Sequence, residues 1–373
     1  KSLGFYAAFL FLTSSFLLQL VPGILNTDHN DVAFIFYVTA SFWAWFEYQN
    51  SKNKYWLLAI GLFSGIAILT KWLVGLIVYA GWGLNIIFDK NKRTDIQQYF
   101  QLLKSLIITI SISLPWQLYI LIRFPERSRQ EFAMNTEHFH KVLEGHGGAW
   151  NYHLLQWNEY INPYSYYLIP VALLGFLFLR IKKEYKIAII SWVLIVTIFF
   201  SIAATKMPAF TFIISPLLFV LILSPIILLF NKLKSHHLLQ SILRISLFIF
   251  LFYTFFSFDT LRNNPGWRKD KWQENYIENQ TFKQLSKMEF PEHSHFSNFY
   301  FHGAVRFLFY APYKACSHLL NKEEIYTLKK KQIAIFVFDN GELPSYILDD
   351  HSITKIKSPI WKDCDCDKIE FYK

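Results

Sequence analysis

The stretch from Leu102 to Ile122 reads LLKSLIITISISLPWQLYILI, and the stretch from Pro208 to Phe230 reads PAFTFIISPLLFVLILSPIILLF. Each run is close to the ~20 apolar residues that an α-helix needs to cross the hydrocarbon core of a bilayer. Runs of this length with so few charges are typical of spanning helices and not of helices in a soluble core. The sequence therefore predicts an integral membrane protein.

The overall composition agrees with membrane insertion. Of 373 residues, 53% are hydrophobic, 19% are aromatic and only 17% are charged, whereas charged residues make up ~25% of an ordinary soluble domain. The formal net charge is +10, but a nucleic-acid-binding protein gathers its basic residues on one face or in one tail. Here they fall in short loops between apolar runs, which argues against a nucleic-acid partner and makes the charge a signal of membrane topology.

Apolar runs of the same kind recur from the start of the chain to about residue 260. We expect an α-helical polytopic membrane protein with about nine transmembrane helices. The predicted crossings are Leu3 to Leu25, Val32 to Tyr48, Tyr55 to Leu69, Trp72 to Phe88, Leu102 to Ile122, Tyr164 to Leu179, Ile187 to Ala204, Pro208 to Phe230 and Leu238 to Phe258.

The loops between these runs alternate between two kinds. One kind is short and basic, and the positive-inside rule assigns it to the cytoplasm. The other kind lies on the opposite face and holds most of the unusual polar residues, so we expect the chemistry on that non-cytoplasmic side. The basic loops contain Lys52 and Lys54; Lys90, Lys92 and Arg93; Lys182, Lys183 and Lys186; and Lys232 and Lys234. The outer connections are Asn26 to Asp31, Thr70-Lys71, Arg123 to Pro163, Thr205-Lys206-Met207 and the chain after Phe258.

The sequence changes character after about residue 260. The run Ile333 to Phe338 predicts a short buried strand that ends at the turn Asp339-Asn340-Gly341. Helical spacing covers Lys322 to Lys331, and Ile369 to Tyr372 predicts a further strand that closes the sheet. We therefore expect a transmembrane region over residues 1–260 and a small extracytoplasmic α/β domain over residues 261–373.

Asp31 ends the outer polar segment Asn26-Thr27-Asp28-His29-Asn30-Asp31. A carboxylate at the membrane surface is a candidate catalytic group, because it can position a cation or orient an acceptor hydroxyl. The alternative is a helix cap, because Asp31 or Asn30 in front of Val32 would satisfy free amides at a helix start. Both alternatives stay open, and they are compatible.

Lys71 and Lys206 are single cations that each follow a threonine at an outer turn between two apolar runs. On the outer face each lysine departs from the positive-inside trend, which favours an anionic partner. Two such ammonium groups on one face would form a seat for a phosphate, which lysine binds as a point charge. The alternative is that each lysine extends its ammonium to the membrane surface without a ligand.

The outer loop 123–163 is the longest connection between predicted crossings. Its pattern from Phe132 to Leu143 predicts an amphipathic helix along the membrane interface, followed by a flexible turn at Gly145-His146-Gly147-Gly148. The spacing His138-Phe139-His140 is a weak metal signal, because helical ligands need a spacing of three or four, and we expect no metal. The aromatic residues around Tyr152 suit either an interfacial belt or stacking against a sugar.

Taken in order, these motifs resemble a known superfamily. The order is Asp31, Leu69-Thr70-Lys71, Leu114-Pro115-Trp116, Glu137-His138 with His146 and Trp150-Asn151-Tyr152, and then Ser201 with Lys206-Met207-Pro208. It is similar to that of the protein O-mannosyltransferases and lipid A aminoarabinose transferases over roughly residues 1 to 230. These are GT-C-type membrane glycosyltransferases, which take a sugar from a polyprenyl phosphate on the periplasmic or luminal face.

The resemblance implies a function and roles for particular residues. It implies transfer of a sugar from a polyprenyl-phosphate-linked donor to a lipid, protein or glycan acceptor, without a cofactor. Lys71 and Lys206 would face the donor phosphate, Asp31 would be catalytic, and an active-site loop would contain His138, Lys141, His146 and Tyr152. The expected partners are membrane lipid, the polyprenyl phosphate sugar and an acceptor, and the expected location is a bacterial inner (plasma) membrane with the site facing the periplasm.

The chain also departs from the family pattern. Family members carry an acidic motif in a first outer loop, which would lie before Lys1, so the chain is expected to lack its N-terminal part or to be inactive alone. Lys141 stands where the family tends to have arginine.

A different class remains as an alternative. A polytopic transporter or lipid-carrier translocase would show broken or charged helices at mid-membrane together with internal repeats. The polar residues gather at outer turns instead and no repeat is evident, which favours the enzyme.

Overall fold

The computed structural model describes residues 2–21, 30–143, 145–160, 165–233, 237–256, 267–299, 303–357 and 369–373. The chain divides into two compact units, Lys1–Arg262 and Asn263–Lys373. The first unit is helical in its described parts, and the second combines helices with one small sheet.

Most helices of the first unit coincide with the predicted apolar runs, whereas Lys90–Arg93, Pro125–His140 and Tyr152–Tyr160 lie in predicted loops. The helices of this unit are α1 (Ser2–Thr13), α2 (Ser15–Leu20), α3 (Asn30–Ser51), α4 (Lys54–Lys71), α5 (Ile77–Phe88), α6 (Lys90–Arg93), α7 (Ile96–Arg123), α8 (Pro125–His140), α9 (Tyr152–Tyr160), α10 (Ser165–Phe178), α11 (Lys183–Ile202), α12 (Ser215–Lys232) and α13 (His237–Phe255). Two 3₁₀ segments, Trp72–Leu76 and Pro208–Ile214, precede α5 and α12.

Four stretches in the described part of the chain are long and apolar enough to span a membrane: Lys54–Phe88, Ile96–Arg123, Lys183–Ile202 and Pro208–Lys232. Three shorter apolar helices, Leu3–Thr13, Tyr167–Phe178 and Leu238–Thr254, accompany them. The fold of a polytopic helical protein is therefore observed, whereas the count of nine crossings stays a prediction. The predicted run Leu3 to Leu25 is not one helix, because Ser14 interrupts it and its hydroxyl accepts from Leu17 N to cap α2.

The stretch Lys54–Phe88 reverses direction at Trp72. Ser64 Oγ donates to Gly75 O at 2.6 Å, although eleven residues of continuous helix would separate these positions by ~16 Å. Trp72 has a φ of 68°, in the left-handed region, and this sharp change in the backbone ends α4 immediately after Lys71. Lys71 therefore lies at the turn between two helices, as the two separate apolar runs predicted.

A polar seam joins α4, α5 and α7 inside the bundle. The Tyr79 hydroxyl lies 2.8 Å from Ser105 Oγ and 2.7 Å from Thr109 Oγ1. Ser105 and Thr109 in turn donate to backbone carbonyls of α4, the second of them to Gly61 O at 3.0 Å. A Cβ on Gly61 would lie 2.7 Å from Ile108 Cβ. Small residues allow this close approach, which is how membrane helices pack without a hydrophobic driving force.

Three of the predicted basic loops meet at one end of the bundle. Lys92 pairs with Glu184, and Asn85 Nδ2 donates to Glu184 O at 2.9 Å. Lys182 Nζ donates to Asn50 Oδ1 at 3.0 Å. These contacts join the ends of α3 and α5 to the beginning of α11, so the remaining turns at Lys71 and Lys206 lie at the other end.

The second unit is a small α/β fold. A five-stranded sheet runs in the order β2-β1-β3-β4-β5, with β1 to β4 parallel and β5 antiparallel to β4. β3 (Ile335–Phe338) is buried along its whole length, and the predicted strand and the following Asp339-Asn340-Gly341 turn are confirmed. The other strands are β1 (His295–Ser297), β2 (Lys314–Ala315), β4 (Ile353–Lys357) and β5 (Glu370–Tyr372), and the helices are α14 (Trp267–Leu285), α15 (Gly303–Tyr310), α16 (Lys322–Lys330) and α17 (Ser345–Leu348).

The seam between α4 and α7 gives a direct test of the packing. Gly61→Ala should destabilise the protein by about 1–3 kcal/mol, because the new methyl group has no space against α7. Gly83→Ala is the matched control, because its Cβ would meet nothing within 4 Å. Thermal melting of the detergent-solubilised proteins should show a lower melting temperature for Gly61→Ala alone. Equal melting temperatures for both variants would contradict the close approach.

Candidate functional site

Asp31 and Lys71 form an ion pair where α3 begins and α4 ends. The Asp31 side chain is 3% exposed and the Lys71 side chain is 25% exposed. Asp31 lies in the first turn of α3 and Lys71 in the last turn of α4, so each charge also faces the helix terminus of opposite polarity. α3 begins at Asn30, one residue before Asp31, so the predicted role of Asp31 as a helix cap is wrong. Asp28 and His29 lie outside the described residues.

Lys206 is held at the C-terminal end of α11. Its Nζ donates to Ser201 O at 2.9 Å and to Ala203 O at 2.6 Å, and the residue is only 5% exposed. These carbonyls carry the negative end of the helix dipole, which stabilises a cation there. Burial lowers the pKa of Lys206 below its ordinary value, because the charged form loses hydration.

The segment from Ala204 to Lys206 is bonded along its length to the last turn of α8 and to the loop that follows it. Thr205 N donates to His138 O at 3.0 Å, and Lys206 N donates to His146 O at 2.8 Å. Thr205 Oγ1 donates to Lys141 O at 2.7 Å and accepts from Leu143 N at 3.1 Å. The backbone of the predicted active-site loop thus surrounds the backbone of Lys206.

Side chains of the predicted loop differ in their surroundings. His138 is half-buried, whereas Lys141 and His146 are exposed, and Lys141 Nζ lies 3.3 Å from Glu137 Oε1. Tyr152 is half-buried beside Gly148, where an added Cβ would lie 2.8 Å from Tyr152 Cδ2 and 3.3 Å from Lys206 Cδ. The interfacial helix itself spans Pro125–His140, so it begins earlier than the predicted Phe132 and ends before Leu143.

Lys71 lies near the segment that follows Lys206. Lys71 Nζ lies 5.8 Å from the ring centroid of Phe210, which belongs to the 3₁₀ segment that follows Lys206. The Phe210 ring lies 4.9 Å from that of Phe200 on α11, the helix whose Ser201 carbonyl accepts from Lys206 Nζ. Asp31, Lys71 and Lys206 are therefore close to the same structural element at one end of the bundle.

His153 is a site residue to which the sequence assigned no role. It is fully buried, and its ring lies 6.0 Å from that of Phe200 and 6.4 Å from that of Phe210. Burial and the nearby charge of Lys206 lower the pKa of His153 to about 4, so the imidazole is neutral at neutral pH. A usable signal was its spacing of four from Trp157, which puts both residues on one face of α9.

Among the described residues, no group of three or more His, Cys, Asp or Glu side chains could hold a metal ion. The expectation of a site without metal or cofactor stays a prediction.

Comparison with known proteins identifies the fold. Residues 5–129 match the family model described as dolichyl-phosphate-mannose-protein mannosyltransferase. The crystal structure of ArnT from Cupriavidus metallidurans bound to undecaprenyl phosphate is similar, with a TM-score of 0.60 and 15% sequence identity over 95% of this chain and 74% of that chain. The chain has the ArnT fold. The apo structure of the same ArnT gives a TM-score of 0.58 at 15% identity, over 96% of this chain and 78% of that chain.

These matches confirm the resemblance to the protein O-mannosyltransferase and aminoarabinose transferase superfamily. A search of curated proteins gives no significant match. The apolar helices indicate an integral membrane protein. The family model covers only residues 5–129, so the glycosyltransferase activity, the sugar, the acceptor and the orientation in the membrane stay predictions.

The bonds of Thr205 to the active-site loop can be tested by one isosteric change. Thr205→Val should cost about 1–3 kcal/mol, because Lys141 O and Leu143 N lose their common partner. Hydrogen exchange at the Leu143 and His146 amides should become faster. Thr197→Val is the matched control, because the Thr197 hydroxyl bonds to Val193 O within its own helix. Equal exchange in both variants would show that Thr205 does not hold the loop.

Proposed function

We propose that the protein transfers a sugar from a polyprenyl-phosphate-linked donor to a lipid, protein or glycan acceptor on the periplasmic face of a bacterial inner membrane. The observation that carries this proposal is the placement of Lys71 and Lys206 at the same end of a bundle with the ArnT fold, where Lys71 Nζ lies 5.8 Å from the ring centroid of Phe210, four residues after Lys206. The similar ArnT structure has undecaprenyl phosphate bound, which supports a polyprenyl phosphate as the lipid partner.

The proposed reaction is an inverting displacement at the anomeric carbon. The acceptor oxygen forms a bond to this carbon, the carbon–oxygen bond to the phosphate breaks, and its electron pair remains on the phosphate. The phosphate thereby gains one negative charge. Ammonium groups fixed beside it stabilise that charge more strongly in the transition state than in the bound donor, which accelerates the reaction.

Asp31 is the proposed catalytic carboxylate. In this role it accepts the proton that leaves the acceptor hydroxyl, so that the oxygen can attack. Its position beside Lys71 supports the assignment, because proton acceptance and phosphate neutralisation are then arranged around one point. His138, Lys141, His146 and Tyr152 form the proposed loop next to Lys206 that helps to enclose the donor.

The side of the membrane follows from the basic loops. Three of them meet at the end of the bundle opposite Lys71 and Lys206, and the positive-inside rule assigns such loops to the cytoplasm. The proposed site therefore faces the periplasm. A polyprenyl-linked donor suits this side, because the lipid anchors the sugar in the same membrane.

The proposal is tested by replacing each lysine and measuring release of polyprenyl phosphate from a panel of polyprenyl phosphate sugars. Lys71→Ala and Lys206→Ala should each lower turnover about 100-fold or more, because each removes a charge that stabilises the departing phosphate. Lys183→Ala is the control, because this exposed lysine lies at the other end of α11.

Membrane insertion and melting temperature should be measured alongside, because Lys206 also bonds the end of α11. Unchanged turnover in both variants would remove the phosphate assignment. Equal loss in the Lys183 control would show that the assay reports folding and not phosphate binding.

A further inference from the structure

The two outer lysines differ in the kind of oxygen that they meet. Lys206 Nζ donates to two neutral carbonyls, so its positive charge is solvated without being neutralised. Lys71 Nζ meets the Asp31 carboxylate, which carries a full negative charge. A phosphate that approaches Lys206 thus finds a cation, whereas one that approaches Lys71 finds a cation already paired with a competing anion.

Lys71 is more exposed than Asp31, and this difference permits Lys71 to exchange one anionic partner for another. The Lys71 side chain is 25% exposed, whereas the Asp31 side chain is 3% exposed. A ligand can therefore reach the ammonium group without first displacing the buried carboxylate. The lysine side chain is also long and flexible, so its ammonium group can turn while Asp31 stays within the first turn of α3.

We infer that Asp31 and the lipid phosphate compete for the Lys71 ammonium group, so that donor binding moves Lys71 from the carboxylate to the phosphate and releases Asp31 to accept the acceptor proton. This inference rests on the proposed function. The donor phosphodiester carries one negative charge and the departing phosphate monoester approaches two, so the competition moves further toward the phosphate as the bond breaks. A carboxylate without its cation is also the stronger base.

The exchange imposes an order on the reaction. Before the donor binds, the Lys71 cation stabilises the ionised form of Asp31, which makes the carboxylate a poor base toward an acceptor hydroxyl. Once Lys71 has turned to the phosphate, Asp31 can act as the base while Lys71 stabilises the charge on the leaving phosphate. The donor must therefore bind before the acceptor can be activated, which protects the acceptor site from unproductive proton transfer.

Cross-linking of the wild-type chain tests the exchange directly. An apolar carbodiimide joins a lysine to a carboxylate only where the two are in contact, so it should link Lys71 to Asp31 and Lys92 to Glu184, a half-buried pair at the other end of the bundle. Saturating undecaprenyl phosphate should suppress the first cross-link about tenfold and leave the second unchanged, as measured by mass spectrometry of the digested protein.

Binding affinities give the second measurement. Asp31→Asn should bind undecaprenyl phosphate about tenfold more tightly, because coupling between close buried charges is at least of this size. Lys71→Ala should bind it more weakly, and the double variant should resemble Lys71→Ala. Glu184→Gln, which frees Lys92 in the same manner, should leave the affinity unchanged.

The outcomes separate the exchange from the proposed function. If undecaprenyl phosphate binds and Lys71→Ala weakens its binding, but the lipid leaves the Asp31–Lys71 cross-link undiminished, the exchange is overturned and the phosphate site stands. If wild-type protein does not bind the lipid, or Lys71→Ala binds it equally well, the proposed function fails together with the exchange. The cross-linking arm needs no variant and decides the question even if Asp31→Asn does not fold.

Discussion

A cation at the end of an apolar helix needs oxygen ligands, and this requirement organises the end of the bundle that carries Lys71 and Lys206. Without such ligands a buried ammonium group costs several kcal/mol, on the order of ~2.5 kcal/mol or more at the centre of a membrane. Lys206 meets the requirement with carbonyls of α11, and Lys71 meets it with the Asp31 carboxylate. Each of these contacts therefore holds a turn of the chain in place and keeps the ammonium group in position.

The same end of the bundle is also bonded to a loop. Backbone bonds from Thr205 and Lys206 to His138 and His146 hold the loop after α8 next to the lysine. Because the amides that make these bonds belong to the turn that carries Lys206, movement of the loop and movement of the cation are coupled. Such coupling would serve the proposed transfer, because water has to be excluded while the charge on the phosphate is stabilised.

Much of the helical unit could be predicted, because an apolar run of bilayer length has few other ways to satisfy its backbone. The helices α3, α7 and α11 coincide with predicted runs for this reason, and the reversal after Lys71 follows from the polar interruption there. Ser14 shows the limit, because one hydroxyl capped α2 and divided a run that hydropathy alone treats as continuous. The buried strand Ile335–Phe338 was equally visible, because a parallel strand covered on both faces is apolar throughout.

Contacts within the site could not be read from the sequence in the same way. The partner of Lys71 is 40 residues away along the chain, and no local pattern distinguishes that carboxylate from others in the outer loops. The spacing of four between His153 and Trp157 puts both residues on one face of α9, but it does not show that this face is buried, because burial of His153 depends on α11 and on the segment after Lys206. Tertiary packing of helices decides such pairings, and hydropathy records only that the helices exist.

The central claim is that one phosphate lies between two ammonium groups, and a cryo-electron microscopy map of the chain with undecaprenyl phosphate tests it most directly. The account predicts phosphate density with oxygens within about 4 Å of both Lys71 Nζ and Lys206 Nζ, the range of a charge-assisted contact. Phosphate density at another end of the bundle, or against only one of these lysines with the other remote, would contradict it.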